Sequence, residues 1–306
     1  MLHPGDLVGG RYRIDAVVGR GGMSVVYEAT HVDLDRPVAI KVLSPEAARN
    51  PEYVARLKHE ARAVARIRSE HVVRVFDVGE LDGTGVPFLV MELLSGNDLA
   101  AVLLRRGPLP IRLAITCIMQ VCEALAEAHA AGLVHRDLKP ANLFLTESVD
   151  GSPCVKVLDF GISRMPNGMS PMTDPGIVLG TPSYMAPEQM EAARAIGPRS
   201  DIWALGAILY ELLVGKAAYK GESLPQIFVR ILKRESAPRP SDLRRDVRPE
   251  IDSIVARCLE IDPERRYASV AELARALAAL GGPAARVDAD RIARVFARCK
   301  REMSGA

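Results

Sequence analysis

His135-Arg136-Asp137-Leu138-Lys139-Pro140-Ala141-Asn142 places four ionisable side chains and one carboxamide in eight consecutive residues. It opens a loop-rich region that runs to Glu188 and holds most of the unusual polar residues of the chain. A carboxylate, an ammonium and an amide at this spacing can handle a proton, neutralise an anion and ligate a hard cation. Taken alone, Asp137 is equally what a turn or a helix cap would use. Its neighbours decide between the two. Downstream stand Asp159-Phe160-Gly161 and then Ala186-Pro187-Glu188.

Upstream, Val17–Thr30 reads VVGRGGMSVVYEAT, with Gly19, Gly21 and Gly22 inside four positions. Such a run suits a hairpin turn, a dinucleotide-binding turn or a flap over phosphates. A dinucleotide turn passes from strand into helix and meets an acidic residue some 20 positions on. Here the run passes into another strand and meets Val38-Ala39-Ile40-Lys41. A lysine suits a triphosphate rather than a ribose. No Lys-Ser/Thr pair closes the run, so it is not a P-loop. As a flap, a glycine-rich hairpin lets backbone N–H groups approach phosphate oxygens.

The 306 residues are 48% hydrophobic and 25% charged, ordinary values for a globular protein with a sizeable core. The formal charge of +2 argues against a nucleic-acid binder. Five scattered cysteines lack metal-ligand spacing and read as reduced, small apolar residues of a cytoplasmic protein. No apolar run approaches the ~18 residues of a membrane span, and the start lacks a signal-peptide pattern.

Strands are expected over 11–19, 24–30, 37–43, 71–79 and 86–93, with one helix from Pro51 to about Arg68. Beyond Gly96 helices dominate, over 111–131, 201–214, 251–259 and 270–280; the second is apolar all round and so expected to be buried. The fold class is therefore α+β and bilobal. Residues 1–94 form a small antiparallel sheet lobe, 95–280 a larger helical lobe, and 281–306 a basic amphipathic tail.

The ordered set of motifs resembles the eukaryotic-type (Hanks-type) serine/threonine protein kinases, from about Tyr12 to Leu280. The GGMS flap and the PAN ending of the loop are similar to bacterial members. The resemblance implies ATP and Mg²⁺ as cofactors, with Mn²⁺ the alternative ion, and protein hydroxyls as substrates. It assigns the flap to Gly19, Arg20, Gly21, Gly22, Met23 and Ser24. Lys41 holds the α- and β-phosphates, oriented by Glu60. Asp137 takes or orients the substrate proton, and Lys139 neutralises the phosphoryl group in flight. Asn142 and Asp159 bind the metal. Met91, Glu92 and Leu94 form the connector that reads adenine, Val26, Ala39 and Phe144 sandwich the ring, and Asp98 contacts ribose. Glu188 with Arg266 forms a buried ion pair, Asp201 anchors the loop from below, and His135 packs against Phe160.

Two departures stand out. Ser24 replaces the third flap glycine, and Phe144 is bulkier than the usual Leu or Met. Lys139 and Gly180-Thr181-Pro182-Ser183-Tyr184 resemble the serine/threonine-specific pattern, with Thr181 beside Asp137. Arg136 suits a phosphate partner, which points to Thr173 first and Ser170 second as regulatory phosphosites. In the tail, Ile292, Val295, Phe296, Cys299 and Met303 make one stripe. Packing on its own domain is the expectation, with a docking partner or a homodimer as the alternative. A signalling scaffold that keeps kinase residues is the competing function. A small-molecule kinase is disfavoured by the long segment from Asp159 to Glu188.

Overall fold

A computed structural model describes residues 2–160, 182–190, 196–221, 224–233, 235 and 237–304. The chain forms two compact units, one of residues 1–68 with 72–95 and one of residues 69–71 with 96–306.

The first unit is a six-stranded antiparallel sheet in the order β1-β2-β3-β4-β6-β5. Its strands are β1 (Leu7–Val8), β2 (Tyr12–Arg20), β3 (Ser24–His31), β4 (Arg36–Leu43), β5 (Val75–Glu80) and β6 (Pro87–Glu92). Alternation divides its side chains cleanly between two faces. Val25, Tyr27, Val38, Ile40, Val42, Phe88 and Val90 share one apolar core with Tyr12 and Ile14. The opposite face carries Val26, Ala39, Lys41, Leu89 and Met91, aligned by the Val26↔Lys41↔Leu89 and Ala39↔Met91 pairings. Two helices complete the unit, α1 (Pro45–Ala48) and α2 (Pro51–Val64). Asn50 caps α2 by accepting from the Glu52 N–H at 2.9 Å, and Pro51 fills the first position, where a missing N–H costs nothing. Leu57 and Ala61 of α2 pack on Leu89.

Helix α2 ends at Val64 and β5 begins only at Val75, so the expected helix to Arg68 and strand from His71 are both shorter. The cause is local. Ser69 donates its N–H to the Glu127 carboxylate at 2.8 Å, and the His71 carbonyl accepts from Val157 N at 2.8 Å. These three residues are held by the second unit.

That unit has a three-stranded sheet, β7 (Asn97–Asp98), β8 (Leu143–Glu147) and β9 (Pro153–Val157), in that order. Its helices are α3 (Leu99–Arg106), α4 (Ile111–Ala130), α5 (Pro187–Met190), α6 (Pro198–Val214), α7 (Leu224–Leu232), α8 (Pro240–Leu243), α9 (Pro249–Cys258) and α10 (Val270–Ser304). At Gly96, φ is +137° and an added Cβ would lie 2.2 Å from the Leu145 carbonyl, so only glycine lets the chain enter β7. Helix α6 is buried on nearly every side, as its unbroken apolar run predicts, with Trp203 stacked on Tyr219. Helix α10 turns sharply at Gly282 (φ 83°), and beyond the turn Ala289 and Ile292 are buried. The helix packs against α4. Among the described residues no helix is long and apolar enough to cross a membrane.

Candidate active site

The residues expected to carry the chemistry fall into two sets, one on each unit. On the first unit, Gly19 pairs with Val26, and Val26 pairs with Lys41. The flap therefore leads by strand register to the lysine. Lys41 is buried at 8% exposure. Its cross-strand neighbour Leu89 is also the residue on which α2 packs, so the helix that carries Glu60 lies over the lysine-bearing face. The Glu60 side chain lies outside the described residues.

The flap hairpin closes through Gly21 N–H donating to the Ser24 carbonyl at 2.8 Å, so that amide is used within the turn itself. None of Gly19, Gly21 and Gly22 lies in the left-handed region, and a Cβ at Gly22 would meet nothing within 4 Å. Neither backbone conformation nor packing within the hairpin demands glycine there. Room for something above the hairpin accounts for the run, which the turn alone does not.

Ala39, Met91 and Val26 share the face of Lys41. Glu92 ends β6, where its carboxylate accepts from Arg74 N–H at 2.8 Å. Leu94 follows in irregular chain, and among the described residues its N–H makes no backbone hydrogen bond.

The second unit builds the other set around a buried anchor. Asp201, in the first turn of α6, is 1% exposed. One of its oxygens accepts from His135 N–H and meets His129 Nε2, at 2.9 and 2.7 Å; the other accepts from Arg136 N–H at 2.9 Å. Burial opposes its charge, yet the hydrogen bond and charge of His129, with those of His135, hold its pKa below the usual carboxylate range. The loop above is thereby held in a bend that puts Arg136 at φ 66°.

Asp137 projects from that bend. Lys139 Nζ donates to Asp137 Oδ2 at 2.8 Å, and Asn142 Nδ2 donates to the Asp137 carbonyl at 2.8 Å and to Oδ2 at 3.3 Å. The Asn142 amide nitrogen is thus turned into the loop, which leaves its oxygen as the acceptor for a cation. Asn142 also accepts from Leu158 N–H at 2.9 Å through its carbonyl, and this ties the loop to the segment carrying Asp159. Asp159 itself sits at φ 44°.

His135 is fully buried, and its ring lies 5.0 Å from that of Phe160. Burial lowers its pKa, and the neutral ring donates from Nε2 to the Leu158 carbonyl at 3.1 Å while Nδ1 accepts from Asp137 N–H at 3.3 Å. It packs and orients, as expected. Phe144 pairs with Asp98 across β7 and β8. Asp98 caps α3 by accepting from Ala101 N–H at 2.9 Å, so part of its side chain has a structural task that the ribose assignment did not anticipate.

Glu188 and Arg266 form a two-pronged pair at 2.7 and 2.8 Å, with Arg266 1% exposed. Ser200 Oγ donates to the same carboxylate at 2.7 Å. Thr173, Ser170 and Thr181 lie outside the described residues. Two supporting groups escaped the sequence reading. His129 is a lone histidine at the end of an apolar helix, and Gln189 donates to the Arg136 carbonyl at 2.8 Å; neither sits in a motif.

Residues 12–277 match the protein kinase domain family, and the chain belongs to it. Serine/threonine-protein kinase Pkn1 of Myxococcus xanthus is 42% identical over 269 residues, which are 88% of this chain and 38% of Pkn1. PknL of Mycobacterium tuberculosis is 39% identical over 274 residues, 90% of this chain and 66% of PknL. The chain therefore spans less than two thirds of the length of either relative. Among solved structures, the kinase domain of M. tuberculosis PknI is 28% identical with a TM-score of 0.69, covering 90% of this chain and 98% of that one.

Proposed function

We propose that this chain is a serine/threonine protein kinase that transfers the γ-phosphoryl group of ATP to hydroxyls of protein substrates. One observation carries the reading: a buried carboxylate fixes the backbone of a loop whose Asp137, Lys139 and Asn142 are hydrogen-bonded into a single cluster. Phosphoryl transfer asks the protein mainly for positioning and charge neutralisation, and this cluster supplies both.

Asp137 receives the proton of the substrate hydroxyl. Lys139, already at its carboxylate, lies within reach of a phosphoryl group delivered to that hydroxyl. Asn142 and Asp159 offer hard oxygens of the kind Mg²⁺ takes, and the inward turn of the Asn142 nitrogen fits that use. The metal would neutralise charge on the phosphates. Lys41 holds the α- and β-phosphates with Glu60 as its orienting partner. The flap residues Gly19, Arg20, Gly21, Gly22, Met23 and Ser24 cover them. Met91, Glu92 and Leu94 read the adenine edge, Val26, Ala39 and Phe144 enclose the ring, and Asp98 reaches the ribose.

Thr181 shapes the substrate side, and phosphorylation of Thr173, with Ser170 second, pairs with Arg136. Four buried cysteines without a disulfide fit a reducing, ATP-containing compartment, the cytoplasm. The tail beyond Gly281 serves its own domain first, and a docking partner or a second copy is the alternative.

The test is transfer of label from γ-labelled ATP to the protein and to Ser-, Thr- and Tyr-containing peptides. Lys41→Ala and Asp137→Ala should each lose at least about a hundredfold in rate, with Ser and Thr peptides labelled in preference to Tyr. Wild-type rates in both variants would sink the reading. Thr173→Ala should lower the rate after preincubation with Mg·ATP; an unchanged rate removes Thr173 from the switch.

A further inference from the structure

Away from the kinase loop, the second unit has a cavity of about 620 Å³ bounded by α4, the turn between β8 and β9, residues 70–71 and α10 around its break. Glu70, His71 and Glu123 meet at its wall. One ligand atom from each lies within 4.8 Å of the others.

His71 is 3% exposed. Its Nδ1 lies 3.1 Å from the Val155 carbonyl, which fixes the ring's one proton there. Burial also favours the neutral ring. The lone pair therefore sits on Nε2, which makes no hydrogen bond among the described residues. It faces Glu123 Oε2 at 3.9 Å, too far for such a bond. An imidazole whose other nitrogen donates to a backbone carbonyl is the usual arrangement of a metal-bound histidine.

Three carboxylates at this wall converge on one arginine. Arg291, from α10 beyond the Gly282 turn, bonds Glu123 at 2.7 Å and approaches Asp288 at 3.5 Å and Glu70 at 3.8 Å. One guanidinium thus serves three carboxylates. Among the described residues it makes no hydrogen bond to His71 Nε2, the lone pair that a metal cation would engage.

We propose that Glu70, His71 and Glu123 form a binding site for a divalent transition metal of the zinc class, and that Arg291 and the metal compete for Glu123. One imidazole and two carboxylates suit zinc better than magnesium or calcium. Ligands on a tetrahedral zinc stand about 3.4 Å apart, so closing the site from its present spacing takes side-chain shifts of about 1 Å. Water from the cavity or Asp288 completes the coordination. Metal uptake would release Arg291 from α4 and so loosen the last part of α10.

The experiment titrates Zn²⁺ calorimetrically, and Co²⁺ by visible absorption, into the full chain stripped of metal and nucleotide. Wild type should bind with a component that Glu70→Gln weakens at least about tenfold. Glu70 is exposed, so that variant leaves the core intact. His71→Asn keeps a donor near the Nδ1 position, deletes Nε2, and should weaken binding similarly. Arg291→Ala should tighten it at least about fivefold, since the competing cation is gone. Metal held only by the kinase-loop carboxylates would be indifferent to all three substitutions. That result, or no binding by Arg291→Ala, overturns the proposal.

Discussion

Arg136 and Asp159 adopt positive φ, at 66° and 44°, in a chain where Asp35 is the other described non-glycine residue to do so. Such conformations cost of order 1–3 kcal/mol each and persist only where the surroundings enforce them. Here the enforcement is visible: Asp201 grips Arg136 N–H, and Asn142 holds Leu158 N–H just before Asp159. Gly22 is the opposite case, an unstrained residue with open space where a Cβ would go. Gly22→Ala should therefore leave stability within about 1 kcal/mol of wild type while raising the KM for ATP several-fold. Thermal melts beside an ATP titration check this; an unchanged KM would mean that the glycine serves nothing above the flap. The clustering of Asp137, Lys139 and Asn142 could be expected from the sequence because they share one short motif. His129 could not, since its role comes from a partner 72 positions away.

Among elements, α5 is tied to the helical unit by a buried ion pair, beside the Gln189 and Ser200 hydrogen bonds. Glu188 is in the first turn of this four-residue helix, and Arg266 reaches it from 78 positions along the chain. Arg266 also donates to the carbonyls of Arg199, Glu260 and Ile261, so removing it strands both a charge and several acceptors. Arg266→Ala should cost about 3–5 kcal/mol in denaturant unfolding. Burial opposes the Glu188 charge, but the hydrogen bonds and charge of Arg266, with Ser200, hold its pKa below the usual value. The unfolded chain then binds the proton more readily. The pair's contribution is complete above the unfolded carboxylate pKa and disappears as pH falls through the lower, folded one. Glu188→Gln should accordingly flatten the acid limb of a stability–pH profile; a limb as steep as wild type would assign the dependence elsewhere. Strands β2 to β4 and helices α4 and α6 were legible from alternation and from apolar runs. The true start of β5 was not, because the bonds that withhold residues 69–71 from it come from α4 and β9.

At the scale of the whole molecule, sulfur chemistry reports on integrity. Cys117, Cys122, Cys154 and Cys258 are buried, while Cys299 is half-exposed. Burial pushes the Cys117 thiol up to about 12 and raises Cys122 and Cys258 as well. A thiol reagent should thus titrate about one group in the native protein and all five after unfolding. Rapid reaction of several groups under native conditions would show that the helical unit opens readily. Another property follows from the way Ser69–His71 leave the sheet unit for α4 and β9. A cut between Ser95 and Gly96 would sever the main crossing, yet the amino-terminal fragment would keep a three-residue hook whose anchorage lies in its counterpart. Three residues encoded between α2 and β5 are thus structurally citizens of the other unit.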